Sequence, residues 1–183
     1  AICQPHAANF IEGREELFYI SHLDSLEGVT DVVERYREML KHVTPMLLYG
    51  LHRSSVIRKT RMYQRVIASD MVFIQELSIH GDFVQVPKML FNFLRRKKWN
   101  TIDQDYFFFF GKKKKPFWYL PFIAVFYHNW KRVACSSISF STKLRLWGVL
   151  FEYGTGQVVL KILIKVTGLL CPEGWKEKLG CAI

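Results

Sequence analysis

Ser69-Asp70-Met71-Val72-Phe73-Ile74-Gln75-Glu76-Leu77-Ser78-Ile79-His80-Gly81-Asp82-Phe83-Val84-Gln85-Val86-Pro87 is the stretch that decides how this chain folds. Ser69 is placed to cap a helix, and Asp70 then falls in the first turn, where the helix dipole favours a negative charge. Met71, Ile74, Leu77 and Ser78 recur at three- and four-residue spacing, which predicts one buried stripe. Gly81 stands where a left-handed C-cap is wanted. Phe83 to Val86 reads as a strand that Pro87 closes. A short helix followed at once by a strand predicts an α/β fold, with one carboxylate at the helix mouth.

The flanking sequence extends the same alternation. Ile2 to Phe10 reads as a strand, Glu12-Gly13-Arg14 as a turn, Leu17 to Ile20 as a second strand and Ser21 to Gly28 as a polar connection. Thr30 is expected to cap a helix from Asp31 to Val43, whose buried face carries Val32, Val33, Tyr36, Met39, Leu40 and Val43. Pro45 ends it. Met46 to His52 is an apolar run read as a strand, and Ser54 to Arg58 as a short helix.

The charge is unevenly spread. Residues 1–93 carry 10 Lys+Arg against 11 Asp+Glu, whereas residues 94–183 carry 16 against 5, so the net +10 belongs to the second half. That shift places a domain boundary near Leu94: residues 1–94 form the α/β part and residues 95–183 a basic, mainly helical tail. With half its residues hydrophobic and 15% aromatic, the chain is built to pack and not to remain disordered. Cys3, Cys135, Cys171 and Cys181 are dispersed without Cys-x-x-Cys spacing, which argues against a zinc site, a redox motif or a disulfide framework.

In the tail, Phe107-Phe108-Phe109-Phe110-Gly111-Lys112-Lys113-Lys114-Lys115-Pro116-Phe117-Trp118-Tyr119 sets aromatics beside a lysine block. Three readings fit: a solvated loop between buried aromatic segments, an anionic membrane face, and, ranked last, single-stranded nucleic acid. Phe117 to Tyr127 and Val158 to Leu170 fall short of the roughly 20 residues a membrane span needs. They suit helices packed on a domain or lying in an interface. Leu144, Trp147, Leu150 and Phe151 mark a further amphipathic helix, with Ser141 as its cap. Asp103-Gln104-Asp105 has the form of a divalent-metal clamp. The reading preferred is two solvated acids in a polar linker.

The ordered elements from residue 29 to 96 resemble glycosyltransferase family 2, the inverting sugar transferases of GT-A fold. Pro45 to Thr60 looks like that family's strand with Gly-aliphatic-x-Arg, here Gly50-Leu51-His52-Arg53. Ser69 to Pro87 looks like its acid-helix-strand segment, and Val86-Pro87-Lys88-Met89-Leu90-Phe91-Asn92-Phe93-Leu94-Arg95-Arg96 like its Val-Pro-x-x-Leu-Phe exit. The resemblance implies that this chain is the C-terminal, acceptor-side portion of such an enzyme. It implies Asp70 as the catalytic base, although Ser69 stands where the family usually has Glu. Ser69, His52, Arg53, Arg95 and Arg96 are the expected contacts to sugar or diphosphate, with Arg58 a further cation. The nucleotide-binding half and its Asp-x-Asp motif are expected upstream, so the Mg²⁺ or Mn²⁺ of the full enzyme would find no ligand in this segment. The implied partners are a nucleotide-sugar and a glycan or lipid-linked acceptor, as in polysaccharide biosynthesis. An anionic membrane surface would be met through residues 95–183, at the inner face of the membrane in the cytoplasm. Nucleic acid is not expected. Trp99 lacks the Gln-x-x-Arg-Trp pattern, so processivity is not implied. A non-enzymatic membrane-associating or interaction module is the alternative.

Overall fold

A computed structural model of the chain describes residues 2–13, 17–21, 26–42, 45–95, 100–117 and 119–168, with 17–21, 45, 95 and 158–168 described by backbone. The fold is mixed α/β. Strand β1 (Ile2–Ile11) is its axis. It pairs in parallel with β4 (Phe83–Arg95) and antiparallel with β2 (Leu17–Ser21) and the two-residue β3 (Leu51–His52). Ile2 pairs with both Phe83 and His52, and Ala8 with both Asn92 and Ile20. A strand has only two edges, so β4 takes one of them, and β3 and β2 share the other.

Two expectations about strands change. Strand β4 does not stop at Pro87: it runs on to Arg95, and the register slips beside the proline. Pro5 faces Val86 while His6 faces Met89, so Pro87 and Lys88 are bulged out. A proline has no N–H for the ladder, and a bulge is where a strand tolerates one. Met46 to His52 is not one strand. Pro45–Tyr49 forms a 3₁₀ turn, and only Leu51 and His52 pair. Gly50 between them passes so close to β1 that a Cβ there would lie 2.8 Å from the Cys3 carbonyl oxygen.

The helices form the other layer. Helix α1 (Val32–His42) is capped by Asp31, whose Oδ1 accepts from Val33 N–H at 3.0 Å and Glu34 N–H at 2.9 Å; the expected cap was Thr30. These bonds hold the Asp31 carboxyl below its usual range, the Glu34 amide contributing most. After the short α2 (Ser54–Ile57) comes α3 (Ser69–His80), buried on more than one stripe: every residue from Val72 to Ile79 is inside. Phe73, Ile74 and Leu77 join Ile2, Met39 and Phe83 in a core against the sheet. Ile79 joins Val33, Tyr36 and Leu40 in a second core completed by Val133, Leu146, Val149 and Leu150. Gly81 caps α3 with extended backbone (φ −161°), not the left-handed turn expected.

That second core shows where the tail goes. Helix α4 (Ile102–Phe110) starts with a Thr101–Gln104 capping box and ends at Gly111, whose φ of 70° is left-handed. Asp103 and Asp105 therefore lie on a helix and not in a linker. Helices α5 (Pro121–Cys135) and α6 (Phe140–Gly168) pack on α3 and α1. Ser139 caps α6, accepting from Thr142 N–H at 3.2 Å, in place of Ser141. The segments expected as separate helices are one 29-residue helix, and its buried face is Leu146, Val149 and Leu150, with Leu144 and Phe151 exposed. Trp147 stacks on Trp130 of α5 at 4.7 Å. Among the described residues, no helix is long and apolar enough to cross a membrane.

Arg35 ties the layers together. Although only 3% exposed, it donates to Ser78 O at 2.8 Å, to Val29 O and Thr30 O at 3.0 Å each, and to Asp82 Oδ1 at 2.6 Å. One guanidinium thus fixes the entry of α1 to the exit of α3. Its burial depresses its pKa, and Asp82 opposes that shift.

Candidate functional site

The residue before α3 sets the geometry of Asp70. Ala68, not Ser69, is the N-cap, and its backbone is left-handed (φ 63°, ψ 40°). Ser69 is the first helical residue and is buried, while Asp70 is the second and half-exposed. An alanine in this region carries a Cβ penalty of about 1–2 kcal/mol. Met62 is also left-handed, with φ 55°. Two strained residues therefore bracket the loop that delivers Asp70, and such strain persists only where neighbours over-determine the backbone.

Those neighbours are identifiable. Glu76 of α3 and Arg132 of α5 form a buried ion pair, their side chains 3% and 2% exposed. The Glu76 carboxylate also accepts from Arg61 N–H at 3.0 Å, and Arg132 donates to Met62 O at 2.7 Å. Burial, with the nearby Arg61 charge, pushes the Arg132 pKa down to about 10. Further along the loop, the Tyr119 hydroxyl accepts from Ile67 N–H at 3.3 Å. The approach to Asp70 is thus gripped from α3, α5 and Tyr119. Neither Glu76 nor Arg132 was singled out as functional in the sequence, and Tyr119 was read there only among the aromatics beside the lysine block, whereas the structure buries it. An acid in the middle of the apolar α3 and a lone arginine in the apolar α5 were the available signal, because such charges are buried only when paired.

Around Asp70 the surface is aromatic. Tyr63 packs on Phe73 with centroids 5.2 Å apart and remains 50% exposed. Partial burial raises the Tyr63 pKa, and the charges of Asp70 and Tyr49 push the same way, so all three lie within electrostatic reach. Tyr49, 59% exposed, stacks on Phe91 of β4 at 5.0 Å, and Phe93 lies beyond at 6.3 Å. Among the described residues Asp70 has no ion-pair partner, and its Oδ1 accepts from Met71 N–H at 2.9 Å. Its carboxylate is therefore available to a ligand, in contrast to those of Glu76 and Asp82.

The other expected contacts do not all converge. His52 is half-buried, its Nε2 3.2 Å from Leu48 O and its ring 6.4 Å from Phe73, which connects it to the Tyr63 side of the site. Among the described residues its buried Nδ1 has no hydrogen-bond partner. Arg53 is exposed at the N-cap of α2, and its carbonyl accepts from Val56 N–H and Ile57 N–H. Arg95 ends β4 opposite Ile11, whereas His52 faces Ile2. Nine residues of strand separate those ends, about 30 Å at 3.3 Å each. Arg95 and His52 therefore cannot grip one diphosphate. Arg96 lies outside the described residues.

Each acid of the Asp-x-Asp pair accepts one hydrogen bond. Asp103 accepts from Lys115 N–H at 3.2 Å and Asp105 from Asn100 Nδ2 at 3.0 Å. Among the described residues no group of three His, Cys, Asp or Glu is placed to hold a metal ion. Comparison of the chain with protein-family models, with curated proteins and with solved structures found no match.

Proposed function

We propose that this chain is the acceptor-side portion of an inverting glycosyltransferase of GT-A type, with Asp70 as its general base. The observation that carries the reading is a half-exposed carboxylate without an ion-pair partner at the mouth of a buried helix, beside the exposed rings of Tyr49 and Tyr63. Aromatic rings offer flat apolar faces with a polar tip, suited to a saccharide that is apolar on one face and hydroxylated at its edge. An acceptor hydroxyl attacks the anomeric carbon from the face opposite the departing nucleoside diphosphate. The new C–O bond forms as the bond to the phosphate oxygen breaks. The diphosphate leaves with that electron pair, and the hydroxyl proton passes to Asp70.

The divalent cation that such a reaction class uses finds no group of three His, Cys, Asp or Glu placed to hold it among the described residues. Donor binding would rest on a nucleotide-binding half beyond these residues. Loss of transfer in Asp70→Asn, with folding intact, tests the proposal.

A second observation favours contact with an anionic membrane surface. Phe107, Phe108 and Phe117 are 55%, 80% and 92% exposed, and Lys112, Lys113 and Lys114 beside them are exposed as well. Such a patch matches an acidic headgroup layer and would bring a lipid-linked acceptor to a peripheral enzyme. Taken without catalysis, the same patch supports the alternative of a membrane-associating module.

A further inference from the structure

A cavity of about 200 Å³ lies between α3, α5 and α6, walled by Met71, Phe122, Val125, Phe126 and Leu150. Its lining residues include no charged side chain, and Asp70 is not among them. Two buried amides line it, Gln75 at 4% and Asn129 at 2% exposure. Asn129 Nδ2 donates to Val125 O at 3.1 Å and to Gln75 Oε1 at 2.7 Å. A carbonyl only accepts, so the Asn129 atom facing Val125 is its nitrogen, and its Gln75 partner is then the oxygen. That leaves Gln75 Nε2 as a donor and Asn129 Oδ1 as an acceptor. Among the described residues neither has a hydrogen-bond partner. The two atoms are not sealed off, so a donor and an acceptor on paired amides lie open at the wall of a largely apolar cavity to a partner that carries both complements.

We infer that this cavity is a binding site for a small neutral molecule with an apolar body and one hydroxyl or carboxamide. The apolar body would lie against Met71, Val125 and Phe126, and the polar group would accept from Gln75 Nε2 and donate to Asn129 Oδ1. A hydroxyl or a carboxamide does both; a carboxylate cannot donate, and nothing in the wall would neutralise it. The volume suits one ring or a short chain, because an apolar cavity of about 150 Å³ accepts benzene. It is too small for a nucleotide. The site is independent of Asp70, so it stands or falls apart from glycosyl transfer.

The test uses the whole chain labelled with ¹³C in its five methionine methyl groups. Benzyl alcohol and toluene are titrated separately, up to the solubility limit of each. Benzyl alcohol should shift the Met71 methyl saturably and leave exposed Met62 and Met89 unmoved. Toluene should bind about five- to tenfold more weakly, the worth of a hydrogen bond or two. Asn129→Leu should erase that preference, and Val125→Trp should abolish binding by filling the chamber. An unmoved Met71, or equal affinity for the two probes, would overturn the inference. If either variant fails to fold, the ratio of the two probes on the unmodified chain still decides.

Discussion

Removing either partner of the Glu76–Arg132 pair should be among the most damaging single changes to this protein. Both side chains are almost wholly buried. Arg132→Met leaves a carboxylate in the interior with only the Arg61 N–H, and it strips Met62 O of its donor. Stranding one member of a buried pair costs about 3–5 kcal/mol. A domain of this size commonly has about 5–15 kcal/mol in total. In urea, with a slope of about 2 kcal/mol/M, the midpoint should fall by about 2 M. Glu76→Met should fall by a similar amount for the mirror reason, a guanidinium left alone. The double variant Glu76→Met/Arg132→Met has no stranded charge and should be no worse than the weaker single, which makes the cycle strongly non-additive. Urea unfolding followed by circular dichroism on all four proteins measures this. Singles costing under about 1 kcal/mol, or effects that sum within about 0.5 kcal/mol, would refute the view that one buried pair holds the loop.

Three other outcomes are expected. Calorimetry with UDP-, GDP- and dTDP-sugars and Mn²⁺ should detect no micromolar binding to this chain alone, because the described residues supply no metal acids for the donor; micromolar affinity would place the donor site within the chain. On vesicles of anionic lipid, changing Lys112 to Lys115 to Gln should release the protein at roughly 1 kcal/mol per lysine, and added salt should do the same to the unmodified chain. Equal binding to neutral vesicles would reject the electrostatic part, whereas tight binding to single-stranded nucleic acid without lipid binding would replace it. His80 has its pKa lowered by burial, with Lys59 adding to the effect. Its unfolded form therefore takes up a proton first, so stability should hold above the ordinary histidine value of 6.5 and drop as pH falls below it, until the folded pKa is passed. His80→Gln should flatten the melting temperature between pH 7 and about pH 5, and an unchanged slope would exclude the residue.

The α/β alternation was legible because its residues obey simple periodicities. The face of α1 needed only the spacing of Val33, Tyr36, Met39 and Leu40, and the α3–β4 succession needed only an apolar helix followed by Phe83-Val84-Gln85-Val86. What escaped was non-local. Pro87 stops a strand by every local rule, but parallel pairing with β1 carries the ladder past it through a bulge. Met46 to Leu48 are apolar because they face the core from a 3₁₀ turn, a role that composition cannot separate from a strand. Asp70 was visible from its place at a helix start. The residues that hold its loop were not, since Glu76 and Arg132 lie 56 positions apart and only folding reveals them as partners. The left-handed Ala68 carries no sequence mark at all, as glycine would be the usual occupant.

Asp70→Asn puts the central claim to its most direct test. The variant is made in a polypeptide that joins this chain to the donor-binding half the proposal requires, and nucleoside diphosphate release is followed with acceptor present. The substitution keeps the size of the side chain and removes its ability to take a proton. Within helix α3 it should change stability by no more than about 1 kcal/mol. The transfer rate should fall by about 10²–10⁴-fold while acceptor affinity changes little. Turnover within threefold of the unmodified enzyme, in a variant that melts normally, would contradict the assignment of Asp70 as the base.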